Sequence, residues 1–430
     1  MNARNHDCGK INEMSQKQIL DRRLVVVGAI IIQLALGAIY AWSVFTPSLI
    51  DAGWSNVQAM TVFSVALLSF AIVMLWAGKR LKTIGPQKLT IFGGFLLSVG
   101  YLFAGIFGGT NFFLLTFFIG VVSGSGIGIV YVVPIAVGMR WFPDKKGLIA
   151  GLAVAGFGFG AMGWVKFAGE WLNLINTYGL SMTFIIYGVI LMAMVILGAS
   201  VMVFPPEGWK HDVLKNKQIT ANITKTEVVN LATKEMLSTP QFFAIFFTLL
   251  FGASAGLMCI GLMKLYPMEA LQANGFDKTH ASAIANTAMA IFFSIANGFG
   301  RIGWGVISDT LGRKTSIIIM YVIQGVCVGG FIFMAGNEIT LYIGATLIGF
   351  NFGGNFALFP AITADIFGVK NIGCNYPWVY LAYGFGGIVG PILGGKLGDA
   401  GNFPLAFIIC GTACVVGAIL ITTVKPLQHA

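Results

Sequence analysis

One permanently charged side chain lies deep inside an apolar stretch of the sequence. Arg301 sits in the run Asn297-Gly-Phe-Gly-Arg301-Ile-Gly-Trp-Gly305, eight residues before Asp309, which marks the polar end of that stretch. At the rise of a helix those eight residues span about 12 Å, which reaches the middle of a hydrocarbon core about 30 Å thick. An arginine that snorkels belongs within a turn or two of a helix end. A guanidinium this deep is either held structurally, by backbone carbonyls or by Asn297 one turn away on the same face, or offers its fork of donors to an anion such as a carboxylate. Neutral polar groups fall at a similar depth. Tyr131 is nine residues inside Arg140, Tyr383 eight inside Asn375 and Asn355 ten inside Asp365, while Tyr40 shares its stretch with Trp42. Arg301, Tyr131, Tyr383, Asn297, Asn355 and Tyr40 are the predicted substrate-binding set. Lys166 is a candidate second cation, but Glu170 four residues on offers a salt bridge, and snorkelling outward is as easy. Lys264 has the same structural reading.

Other chemistries have no residues to carry them. Asp, Glu and His all fall at span ends, loops or tails, so neither a catalytic cluster nor a titratable group at depth is expected. The chain is not expected to be an enzyme and needs no cofactor. The six cysteines form no CxxC pair and no metal-ligand spacing, and read as small buried hydrophobes. Gly156-Phe-Gly158-Phe-Gly160 would need a preceding strand to cradle a nucleotide. These glycines, like those at 120–128 and 384–390, instead suit close helix packing in a membrane.

Long apolar elements must position the polar groups. Of 430 residues, 57% are hydrophobic and only 10% charged, and the mean hydropathy is +0.84. That composition excludes a soluble globular protein and a disordered chain. Twelve runs are long enough to span a bilayer: 24–47, 57–78, 88–108, 112–138, 147–170, 182–204, 241–266, 282–305, 315–335, 339–362, 375–398 and 403–424. The predicted fold is therefore an all-α integral membrane protein. The predicted division is a tail at 1–23, a six-helix half at 24–204, a polar linker at 205–240, a second half at 241–424 and a tail at 425–430. The net charge of +10 comes from Lys and Arg gathered on one side, in both tails, in the linker and after the even-numbered spans. Loops after spans one, three and five carry none. This bias predicts cytoplasmic termini and a multi-pass protein of the cytoplasmic membrane, and accounts for the basic charge without a nucleic-acid partner.

Two six-span halves joined by a basic linker resemble the major facilitator superfamily, as does Gly305-Val-Ile-Ser-Asp309-Thr-Leu-Gly312-Arg313-Lys314 after span eight. The equivalent stretch, Gly78 to Lys88, has Lys82 where the acid is usual, so a weaker or differently built lock is predicted there. A narrower resemblance, to the oxalate/formate antiporter family with its monocarboxylate carriers, rests on Arg140-Trp-Phe-Pro-Asp144-Lys-Lys-Gly147. Gly37 to Ser43, Phe356 to Pro360 with Asp365 to Gly368, and Asn375-Tyr376 match it too. The resemblance implies a two-half carrier with a midplane site and alternating access. It implies gate roles for Asp309 and Arg313, and by extension for Asp144 and Arg140. It also implies that Tyr383 stands where the oxalate carrier has a second cation, a lysine.

The expected function is secondary transport of a small carboxylate, a monoanion such as lactate, pyruvate or formate, by a monomer surrounded by lipid. An oxalate:formate-type exchanger is the alternative, with a broad-specificity exporter or a membrane sensor more distant.

Overall fold

A computed structural model describes residues 21–143, 145–206 and 230–425. Most of both tails and of the linker lies outside the described residues. Among those described the chain is helical throughout, with no strand. Twelve helices are long and apolar enough to span a membrane. They are α1 (Arg22–Trp42), α2 (Thr61–Ile84), α3 (Pro86–Gly108), α4 (Phe112–Trp141), α5 (Lys146–Lys166), α6 (Leu174–Ala199), α7 (Pro240–Leu262), α8 (Lys278–Leu311), α9 (Arg313–Phe333), α10 (Glu338–Phe367), α11 (Ile372–Gly398) and α12 (Phe403–Ile421). Large apolar side chains such as Ile106, Phe113, Phe333 and Ile339 stand on the outside of the bundle. Water would not tolerate that girdle, but lipid solvates it, while the helices satisfy their own backbone groups.

The two halves repeat one packing scheme. In the first, α1 packs on α5, α2 on α4 and α3 on α6; in the second, α7 packs on α11, α8 on α10 and α9 on α12. The halves meet along two equivalent seams, α5 against α8 and α11 against α2. Lys and Arg gather at one end of the bundle, where α1 starts and α12 finishes; this is the basic end.

Helix ends at the basic end differ from the hydropathy boundaries. The apolar run of α2 fades near residue 78, yet the helix continues through Lys79, Arg80 and Lys82 to Ile84. Charged residues beyond the hydrocarbon remain good helix formers, so polarity alone does not end the helix. It stops at Gly85 with φ 88° and ψ 151°, and α8 stops in the same way at Gly312 with φ 84° and ψ 153°. Only glycine adopts such a positive φ without strain. The two turns repeat the same bend in each half, and the one at Gly312 sets Arg313 beside Asp309.

Candidate functional site: a buried guanidinium between the halves

Arg301 is fully buried on α8. Its Nε donates to Asn297 Oδ1 at 2.9 Å, and its Nη1 donates across the seam to the carbonyl of Val154 on α5, also at 2.9 Å. The guanidinium carbon lies 4.0 Å from the centre of the Phe356 ring and 5.3 Å from that of Phe157. Both structural holds foreseen for this arginine therefore exist, and they use two of its three nitrogens. The third, Nη2, is buried without a hydrogen-bond partner. No carboxylate pairs with Arg301 among the described residues. Burial of a cation without an acidic partner is costly.

Aromatic residues close around it. Tyr40 of α1 and Tyr383 of α11 join hydroxyl to hydroxyl across the halves. The rings of Tyr40 and Phe157 are 4.8 Å apart, and Tyr131 of α4 lies 5.8 Å from Phe157 and 5.1 Å from Tyr380. The Tyr131 hydroxyl is buried beside those of Tyr376 and Tyr380. Phe157 and Phe356 border the guanidinium, and the Tyr383 ring lies 5.4 Å from that of Phe356, as those of Tyr40 and Tyr131 lie against Phe157. Arg301, Tyr131, Tyr383 and Tyr40 thus converge. α1 tightens to a three-residue turn over Gly37–Val44, the segment that carries Tyr40 inward.

Three expected members stand differently. Asn297 converges with Arg301, but its Oδ1 is committed to Nε, so it orients the guanidinium. Asn355 faces α9: its Oδ1 accepts from the Tyr321 hydroxyl at 2.9 Å and its Nδ2 donates to the Phe352 carbonyl. Lys166 is twelve residues beyond Val154 on one continuous helix, about 18 Å further along its axis. Arg301 and Lys166 are thus too far apart to share one small anion. The Glu170 side chain lies outside the described residues. Lys264 stands between α7 and the short helix Leu265–Ala273, where burial pushes its pKa down.

Phe157, Phe356, Tyr376 and Tyr380 are not predicted from the sequence, nor is which backbone carbonyl holds the arginine. Tyr376, Tyr380 and Tyr383 had a signal, since spacing of four and three puts them on one face of α11. The carbonyl had none.

A polar cluster ties the halves together at the basic end. Asp309 accepts from the backbone N–H groups of Gly147 at 3.2 Å and Leu148 at 2.9 Å. An acid at this helix start is favoured by the unpaired N–H groups and the helix dipole. Arg313 pairs with Asp309 at 2.6 Å and with Asp365 at 2.9 Å, and Lys146 reaches Asp365 at 2.7 Å. Arg140 donates to the Lys370 carbonyl at 3.4 Å and stacks on Phe204. Of the four expected gate residues, Asp309, Arg313 and Arg140 thus stand at the seam; Asp144 lies outside the described residues. Lys146 and Asp365 are additions. At the equivalent seam Lys82 cannot accept from a helix start, and instead donates to Asn371 Oδ1 at 3.0 Å, while the Cys374 thiol meets the Gly78 carbonyl at 3.2 Å.

Twelve membrane helices in two equivalent halves, with a polar centre on the seam between them, define a membrane carrier. The family model described as Major Facilitator Superfamily matches residues 25–335 and 266–429, and the chain belongs to that superfamily. It is 32% identical over 372 residues to the uncharacterized MFS-type transporter YhjX of Escherichia coli (strain K12), covering 85% of this chain and 86% of that one. It is 27% identical to the oxalate:formate antiporter of Oxalobacter formigenes, covering 94% and 91%, and 25% identical to apicoplast pyruvate carrier 1 of Toxoplasma gondii, covering 78% and 68%. The fold matches that of FucP, solved in the outward conformation, with a TM-score of 0.66 at 17% identity over 94% of this chain and 98% of that one.

Proposed function

We propose that this carrier moves small carboxylate monoanions by alternating access, with Arg301 as the anion anchor. The observation that carries this reading is Arg301 Nη2, a buried, oriented and unpaired donor on a cation with no acidic partner. The names of the antiporter and the pyruvate carrier support the same substrate class.

The number of charges favours a monoanion. One guanidinium and one carboxylate make a neutral complex, whereas a dianion would leave net charge in a low-dielectric centre. The site holds a tyrosine, Tyr383, where a second cation would serve a dianion, and Lys166 is remote. The dicarboxylate exchanger keeps the support of the antiporter's sequence, and Tyr383→Lys separates the two readings. Competition of lactate, formate and oxalate for a labelled monocarboxylate in proteoliposomes should rank both monoanions above oxalate in the wild type. Tyr383→Lys should reverse the order. A wild type that prefers oxalate to both would overturn the single-charge reading.

In this reading the halves are residues 24–204 and 241–424 around a linker at 205–240, with a tail at each end. The basic end faces the cytoplasm, as the charge bias requires, and the protein works as a monomer in the inner membrane. The Asp309–Arg313–Lys146–Asp365 cluster is then a cytoplasmic gate in its closed state, with Arg140 beside it. Asp144 belongs to the same proposal.

A further inference from the structure

We infer that Gln33 on α1 is a second substrate-binding group, which reads a hydroxyl or oxo group on carbon 2 of the carboxylate, so that the preferred cargo is a 2-substituted monocarboxylate. This rests on Arg301 as the carboxylate anchor and deepens that reading.

Gln33 is completely buried, and neither its Oε1 nor its Nε2 has a hydrogen-bond partner. An unpaired buried amide is costly, and buried polar groups left open in this way call for a partner. The side chain lies on the inward side of α1. Gln33 and Tyr40 are two turns apart and both buried, while Leu24 and Val27 on the other side are 46% and 51% exposed.

Its depth is that of the anchor. Gly156 of α5 packs directly against Gln33: a Cβ at Gly156 would lie 3.1 Å from the Gln33 Cβ. The Val154 carbonyl that holds Arg301 is two residues away on the same helix, about 3 Å along its axis. Phe157 follows Gly156 and stacks near both the guanidinium and Tyr40. Gln33 and Arg301 therefore both pack against α5 at one level of the bundle, each with unused polar atoms.

The chemistry of the pair is complementary to a substituted acid. Arg301 supplies only donors, which suits a carboxylate. An amide supplies both a donor and an acceptor, and a hydroxyl can use both at once while an oxo group uses the donor. An acid with a bare alkyl chain leaves the amide unpaired. Sites built to hydrogen-bond a hydroxyl discriminate strongly against the analogue that lacks it.

Gln324 on α9 provides an internal control. Its amide is equally buried and unpaired, but α9 packs against α10 and α12, away from the seam that carries Arg301.

The test compares lactate with propionate, which differ by the hydroxyl alone, for binding to the purified full chain and for exchange in proteoliposomes. The wild type should bind lactate at least about tenfold more tightly than propionate, and Gln33→Leu should bring that ratio to within about threefold by weakening lactate alone. Gln324→Leu should leave the ratio unchanged, and both variants should raise the melting temperature of the ligand-free protein by removing an unpaired amide. Gln33→Met repeats the test should the leucine variant fail to fold. An unchanged ratio in Gln33→Leu or Gln33→Met, or equal binding of the two acids by the wild type, overturns the inference and leaves the carboxylate reading standing. A wild type that binds neither acid overturns both.

Discussion

Arg301 holds together three facts that a lone buried cation would not combine: a fixed orientation, an apolar aromatic setting and a free donor. Asn297 and the Val154 carbonyl take the hydrogen bonds that aim it, so its substitution tests the anchor directly. Arg301→Gln keeps some hydrogen bonding but removes the charge, and is expected to weaken monocarboxylate binding about ten- to a hundredfold, in line with about 1.5–3 kcal/mol for a hydrogen bond to a charged group. Arg301→Lys keeps the charge but loses the fork, and is expected to fail nearly as badly. Binding measured by thermal shift, with folding checked by size-exclusion profile, decides it; near-normal affinity in Arg301→Gln would refute the anchor. Asn297→Ala should weaken binding less, because Val154 still holds Nη1.

The seams are elements in contact rather than residues in isolation, and their energetics follow from how closely two helices approach. At the basic end a Cβ on Gly147 would lie 2.5 Å from the Gly305 carbonyl and 2.7 Å from Asp309 Oδ1. Gly147→Ala should therefore separate α5 from α8 and open the basic end. Asp309→Asn should act in the same direction, by removing the charge at the start of α5 and one partner of Arg313. Labelling of Cys374, which sits half-buried against the Gly78 carbonyl, should speed up in both variants, read peptide by peptide by mass spectrometry. Unchanged Cys374 labelling in both would mean that the cluster is not a gate. The other seam offers the converse change. Lys82→Asp places an acid where Asp309 stands in the second half, against the start of α11, and should slow the labelling.

For the whole molecule, the lack of an acidic partner for Arg301 among the described residues bears on the transport cycle. With Arg301 as the proposed anchor of a monoanion, an empty carrier would move a bare buried cation through its occluded state, while a loaded one would move a neutral ion pair. Exchange of one monocarboxylate for another should therefore be faster than net efflux from preloaded proteoliposomes, and nearly insensitive to an imposed membrane potential. Net efflux as fast as counterflow at the same internal concentration would contradict this.

Much of this was legible along the chain, for a physical reason. A bilayer demands about twenty apolar residues per crossing, so twelve runs announced twelve helices, and the cost of burying charge made Arg301 conspicuous at its depth. The repeated glycine turns and the Asp309 stretch are local, and local features survive in sequence. What needed the tertiary structure was every relation between helices. Sequence alone leaves Lys166 open as a second cation, and only the hold of α5 on Arg301 through Val154 sets the distance between them; it makes Asn355 a candidate too, and only the packing of α9 gives its amide to Tyr321. Lys146 and Asp365, 219 residues apart, meet only because two halves close on each other. Depth within a helix is set by counting residues; the direction a side chain faces, and what it meets, is set by the rotation and packing of separate helices, which no run of consecutive residues encodes.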